Sequence, residues 1–250
     1  TTIERNIFPH LKTVMTVSDS IAEQYEKQYG IRAIVVRNCA RSSEDIKLLS
    51  RNELGVPEDS LLLILQGGGI NIDRGGEELI EVVSKVDKVF IIIAGSGDVI
   101  DVLKEKTINM NVFDRIRFIP KLPWKELMRY TKSADAGLTL DKDTNLNYRF
   151  SLPNKLFDYI SAGIPVIAGD LPEVKKTLEE HGCGIIIPEV TSEEIGKAII
   201  KLRDDRDYLN KLNQNAVNAS ESLNWDHESK KVIDFYSEII KDNYGIIKEI

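Results

Sequence analysis

The sequence predicts an α/β fold, a doubly wound parallel sheet over residues 60–224, and two observations carry that prediction. Short β-branched runs alternate with segments of helical period from residue 60 onward. Several of those runs are apolar at every position rather than at every second one, as strands are when helices cover both faces of their sheet. The first run is LLLILQ (61–66), followed by KVFIIIAG (88–95), RIRFIP (115–120), DAGLTL (135–140), IPVIAG (164–169) and CGIIIP (183–188). Between them EELIEVVSKV, DVIDVLKEK, WKELMRYTKSA, NKLFDYISAG and PEVKKTLEE read as helices. The domain therefore has about six strands.

The front end reads differently. TVMTVS (13–18), a helix over DSIAEQYEKQYG and RAIVVRN (32–38) form one βαβ unit, too small to bury its own sheet faces. Residues 1–40 are therefore expected to be a remnant of a second α/β domain, and 41–59 a connection with one short helix. Past residue 190 the pattern turns helical, and the last segment, 225–250, is expected to cross back onto the first unit. The chain opens on TTIERNIF without Met, so a natural start is expected upstream.

Composition narrows the function classes. With 42% hydrophobic and 29% charged residues the chain can bury a sizeable core. A formal charge of −7 argues against a general nucleic-acid binder, which needs a basic face, but leaves room for a local basic pocket. Cys39 and Cys183 lie far apart, which disfavours a disulfide framework or zinc pair and predicts a cytoplasmic setting. No apolar run is long enough to span a bilayer, and no signal peptide is visible.

Ligands of open parallel sheets sit at the carboxyl ends of the strands, so the loops there are the candidates. The first strand runs into QGGGINIDRGGEEL, where Gly67, Gly68 and Gly69 let backbone amides approach an anion and Arg74 precedes a helix. It is neither a Walker loop nor a good GxGxxG. The second strand runs into AGSGD, with Gly95 and Gly97 as a close contact or simply a tight turn. The third element is SLPNKLFDYISAG, where Ser151 can cap the helix and Lys155 and Asp158 share a face. Free amides and Lys155 suit a diphosphate, and a carboxylate one turn inside suits a ribose diol; a solvated Lys–Asp pair is the plainer reading. Asp141 and Asp143 spell DxD in LDKDTN and read as a polar loop.

Together and in this order, GGG…DRGG, AGSG and SLPNKLFDYISAGIPVIAGDLPEV resemble the C-terminal, donor-binding domain of the retaining GT-B glycosyltransferases called group 1 or family 4. The last stretch is similar to their LPxKxxEYxxxGxPVI signature. TVSDSIAEQYEKQYGIRAIVVRNCA resembles the final βαβ unit of their Rossmann-like acceptor-binding domain, and NWDHESKKVIDFYSEII their closing crossover helix. The resemblance implies that Asp158 takes the ribose-holding place, while Phe150 stands where the sugar-holding carboxylate would be. It implies Arg74 and Lys155 as the catalytic cations on the leaving diphosphate, Gly68 standing where a first Arg is usual. Ile119 and Lys121 fall in the base-reading loop, and Tyr148, Ser151, Leu152 and Asn154 complete the donor site with Gly67, Gly69 and Gly95.

The function implied is transfer of a sugar from a nucleotide-diphosphate donor to an acceptor hydroxyl, with retention, in bacterial polysaccharide or glycoconjugate synthesis. No cofactor or metal is expected. A glycan or lipid-linked acceptor would meet the missing domain, which could also touch the inner face of the membrane, so this chain alone should bind donor and transfer little or nothing. A non-catalytic nucleotide-sugar-binding module and a GT-B-type epimerase remain as alternatives.

Overall fold

The computed structural model describes residues 2–244, with side chains to Lys241. The proposed crossover segment therefore runs past the described residues at 245–250, and residue 1 of the front unit also lies outside them.

The front unit comprises α1 (Thr2–Ile7), β1 (Thr13–Thr16), α2 (Asp19–Tyr29) and β2 (Arg32–Val35), with β1 and β2 paired in parallel as a two-stranded sheet. Ser18 caps α2 by accepting from the Ile21 N–H, and Gly30 closes it in the left-handed region at φ 64°. The connection carries α3 (Arg51–Leu54), opened by a Ser50–Glu53 capping box.

The main domain follows as β3 (Leu61–Gly67), α4 (Gly76–Lys85), β4 (Val89–Gly95), α5 (Ile100–Asn109), β5 (Ile116–Ile119), α6 (Trp124–Ser133), β6 (Ala136–Thr139), α7 (Leu146–Arg149), α8 (Asn154–Ser161), β7 (Val166–Gly169), α9 (Pro172–His181) and β8 (Gly184–Ile187). Helices α10 (Ser192–Asp204), α11 (Arg206–Ser220) and α12 (Trp225–Tyr244) complete it. The six strands lie in the order β5-β4-β3-β6-β7-β8, all parallel. This is the expected doubly wound sheet, with the reversal of strand order between β3 and β6.

The apolar strands are explained by two cores, one on each face. Leu61, Leu63 and Leu65 point toward α4, α5 and α10. Leu62 and Ile64 point the other way, toward α8 and α9. Successive strand residues face opposite layers, so both parities must be apolar.

Strands β6 and β3 pair only through Leu63–Ala136 and Ile64–Gly137 and then part. Tyr159, fully buried on α8, fills the gap. Its hydroxyl accepts from the Gln66 N–H at 3.2 Å and shares its proton between the carbonyls of Leu138 (3.1 Å) and Ile64 (3.3 Å). Gly137 makes room for the ring, because a Cβ there would stand 2.3 Å from Tyr159 Cγ. One phenol thus satisfies the backbone groups that parting strands would leave unpaired.

The front unit is joined to this domain by buried carboxylates. Glu173 accepts the Ser20 N–H at 2.7 Å, and Glu228 on α12 accepts the Arg37 N–H at 2.8 Å. The Ser18 hydroxyl donates to the Phe150 carbonyl at 3.2 Å, and the Trp225 N–H to the Ala40 carbonyl at 3.0 Å. No described helix is long and apolar enough to cross a membrane.

Candidate functional site

The switch point between β3 and β6 opens into a cavity of about 540 Å³, lined by Gln66, Gly67–Ile70, Arg74, Asn147, Tyr148, Ser151 and Pro153–Lys155. A smaller chamber of about 180 Å³ adjoins it, sharing Gln66, Gly67, Gly68, Asn154 and Lys155 and adding Gly95, Lys121, Leu122, Leu127 and Asp158. The structure thus brings Arg74, Lys155, Gly67, Gly68, Gly69, Gly95, Lys121, Tyr148, Ser151, Asn154 and Asp158 to one place. Ile119 lines a third hollow, with Gly95, Ser96 and Gly97, on the far side of the glycine turn.

Local chemistry sets this arrangement. The two glycine turns are laced together: Ser96 N–H donates to the Gly67 carbonyl at 3.1 Å and Ile70 N–H to the Ser96 carbonyl at 2.9 Å. Gly95 sits at φ 137°, and a Cβ on it would meet the Gly67 oxygen at 1.8 Å. A side chain would push these backbones apart.

Two expectations are corrected. Ser151 does not cap α8: Pro153 occupies the N-cap with no side-chain bond, and the Ser151 hydroxyl donates to the Tyr148 carbonyl at 2.9 Å. The α8 amides are left without a side-chain acceptor at an edge that faces both chambers. Leu152 is 6% exposed and packs in the core with Leu156, so its side chain belongs to the packing rather than to the chambers.

Lys155 and Asp158 are not a surface pair. Lys155 is 9% exposed, and its Nζ lies 3.1 Å from Asp141 Oδ2, while Arg74 Nη1 lies 2.9 Å from Asp141 Oδ1. The Arg74 guanidinium also stacks on Tyr148, 4.8 Å from the ring centroid. Burial alone would raise the Asp141 carboxyl, but the charges of Lys155 and Arg74 and a bond from Thr139 outweigh it and hold it below its ordinary value. Burial depresses Lys155 despite that partner.

Asp158 has a different setting. Gln66 Nε2 donates to its Oδ2 at 3.0 Å and Trp124 Nε1 to its Oδ1 at 2.9 Å. Burial raises its carboxyl above the ordinary value, and the two neutral donors only partly counter that. Gln66 is itself fixed by the Thr131 hydroxyl, 2.7 Å from its Oε1.

Asp141, Gln66 and Trp124 are the residues that sequence reasoning missed. The signals were faint: a polar residue ending an apolar strand, and a carboxylate two residues past the strand that flanks the switch point. The DxD spelling misleads, because Asp143 pairs with Arg149 at 3.0 Å while Asp141 turns inward. Among the described residues no three His, Cys, Asp or Glu side chains gather as metal ligands.

Residues 49–219 match the family model described as glycosyl transferases group 1. A D-inositol 3-phosphate glycosyltransferase of Nocardia farcinica is 22% identical over 145 residues, 58% of this chain and 31% of its own length. An uncharacterized glycosyltransferase of Methanocaldococcus jannaschii is 22% identical over 196 residues, 76% of this chain and 48% of its own. The chain thus spans less than half the length of these curated relatives. Among solved structures, sucrose-phosphate synthase from Thermosynechococcus elongatus has a TM-score of 0.79 at 17% identity, over 97% of this chain and 62% of that one. HepE from Anabaena, in complex with UDP-glucose, has a TM-score of 0.79 at 16% identity, over 95% and 67%. These structures share its fold.

Proposed function

The chain belongs to the group 1 glycosyl transferases, of GT-B fold, and from that premise we propose that it is the donor-binding part of an enzyme that moves a sugar from a nucleoside-diphosphate donor to an acceptor hydroxyl with retention. The observation that carries the reading is the pair of joined chambers meeting at Lys155 and the glycine turn.

The smaller chamber takes the nucleoside, with Asp158 accepting from the ribose diol. Its carboxylate oxygens are held by neutral donors and keep lone pairs to offer. The diphosphate lies across Lys155, the α8 amides and the glycine turn, and the sugar extends into the larger chamber beside Arg74 and Tyr148. As the glycosidic bond breaks, negative charge grows on the diphosphate, and Lys155, Arg74 and the amides stabilise it. We assign no metal to this step, because those cations already stand there and the carboxylates of LDKDTN are committed to ion pairs.

HepE has been solved in complex with UDP, with UDP and glucose and with UDP-glucose, which makes UDP the first nucleotide to try. A glycan or lipid-linked acceptor, a role in bacterial polysaccharide synthesis and a cytoplasmic setting at the inner membrane face belong to the same proposal. Residues beyond this chain would hold the acceptor, so the chain by itself should bind donor and transfer little.

Calorimetric titration with UDP, GDP and ADP, repeated on Asp158→Ala, tests the reading. We expect one nucleotide to bind and the variant to lose at least about tenfold in affinity, the worth of one or two hydrogen bonds to a charged group. If no nucleotide binds, or the variant binds as well as the wild type, the assignment fails.

A further inference from the structure

The segment TLDKDTN leaves β6 at the switch point, and its three charged residues go three ways. Lys142 reaches Glu78 at 2.6 Å, Asp143 reaches Arg149, and Asp141 turns inward onto Arg74 and Lys155, which line the larger chamber. There it is 2% exposed and touches both cations of the site.

The groups around the Lys155 ammonium can be named from every side. Asp141 faces it from the loop after β6, and Arg74 from the loop before α4 adds repulsion. On its own helix, Asp158 gives its oxygens to Gln66 and Trp124, and Tyr159 gives its hydroxyl to the parted strands. Gln66 and Asn147 across the cavity carry amides, and Tyr148 lies against the Arg74 guanidinium. Asp141 is therefore the carboxylate that answers the buried ammonium. A lysine so enclosed with no opposing charge gives up its proton. Arg74 keeps its charge in any setting, but needs orienting. Asp141 holds one Nη and Tyr148 supports the plane, while the buried Nε has no partner.

We propose that Asp141 is a positioning residue of the donor site: it keeps Lys155 an ammonium and sets Arg74 beside it, so that both cations are in place before the diphosphate arrives. The proposal rests on the donor-site reading for the ligand, but its effect on Lys155 can be read with no ligand at all.

Two measurements on the full chain separate these. The first follows the Cε resonances of carbon-13-labelled lysine from pH 6 to 11, with Lys155→Arg assigning the Lys155 signal. In Asp141→Asn the Lys155 titration should move about one to three pH units lower, the range for loss of a close opposite charge, and Asp141→Glu should restore most of it. An unchanged titration in Asp141→Asn overturns the proposal. The second is UDP affinity at pH 6.5 and 9. Between those values Asp141→Asn should lose about tenfold more affinity than the wild type; an equal deficit at both pH values marks a merely structural role and overturns it. If UDP, GDP and ADP all fail to bind the wild type, the donor reading falls while the Lys155 titration still decides this one. If Asp141→Asn does not fold, Asp141→Asn/Lys155→Met, which removes both charges, should fold; its failure to do so would count against the pairing.

Discussion

Asp141 and Asp158 are both enclosed carboxylates within one site, separated by Lys155, yet their surroundings treat them oppositely. Asp141 is answered by two cations and held below its ordinary value. Asp158 is answered by an amide and an indole, and burial lifts it. The first is consumed by the protein, since an anion that neutralises Lys155 and orients Arg74 has little left for a ligand. The second is steadied without being neutralised. A cation on Asp158 would compete for the lone pairs that a ribose diol needs, whereas Gln66 and Trp124 fix its direction and leave acceptor capacity. Burial raises both carboxyls, and the partner decides which way each finally moves.

The contrast can be broken in order of expected effect. Asp141→Asn strands a buried ammonium and should cost about 3–5 kcal/mol in chemical denaturation. The sign of the pH dependence follows from the depressed carboxyl: its contribution is present above the ordinary value of 3.8 and disappears as pH falls through the folded value. The gap between wild type and variant should therefore close in acid, and a gap that persists would separate Asp141 from the ion pairs. Tyr159→Phe leaves the Gln66 N–H and the Leu138 carbonyl unpaired between the parted strands and should cost about 1–3 kcal/mol. Because that phenol stands at the strand ends beneath both carboxylates, nucleotide affinity should fall with it; full affinity in a destabilised protein would confine Tyr159 to the core.

Asp158→Asn should cost only about 1 kcal/mol, because the amide keeps one acceptor oxygen for Gln66 or Trp124. A loss as large as that of Asp141→Asn would erase the distinction drawn between the two. The cysteines show burial that no cation outweighs, for Arg37 and Lys231 pull Cys39 down by less than burial and Glu228 push it up. Cys39 is pushed up to about 12 and Cys183 to about 11, in both cases chiefly by burial. Neither should react with an aromatic disulfide reagent at pH 8 until the chain unfolds, and fast reaction in the native protein would show that the core they share opens.

The sheet was legible because its chemistry is repetitive. Leu61–Leu65 and Val89–Ala94 are apolar at both parities, and only two-sided burial requires that. Strand limits were read one or two residues too long at several ends. DAGLTL, for instance, last pairs with β3 at Gly137 and with β7 at Thr139, which leaves Leu140 outside the strand. The glycine turns, Arg74, Lys155 and Asp158 were legible as members of loops that must meet at one edge of a parallel sheet. The partners of those residues were not. Whether Lys155 turns to Asp158, three residues away on the same helix, or to Asp141 in a different loop depends on where the strands part. Pro153 taking the cap position that Ser151 was expected to fill is a matter of one residue of register. Trp124 looked like the start of an ordinary amphipathic helix, and only the packing of α6 beside α8 brings its indole to Asp158.

The lacing of the two glycine turns has a consequence for recombination with relatives. Gly67, Ile70, Gly95, Ser96 and Gly97 are in backbone contact closely enough that a methyl group on Gly97 would stand 2.0 Å from the Ile70 oxygen. The two turns are separated by a whole helix in the chain but behave as one part. A chimera whose junction falls within α4 would take one turn from each parent and inherit a mismatched seam. A junction before β3 or after β5 would carry the matched pair across intact.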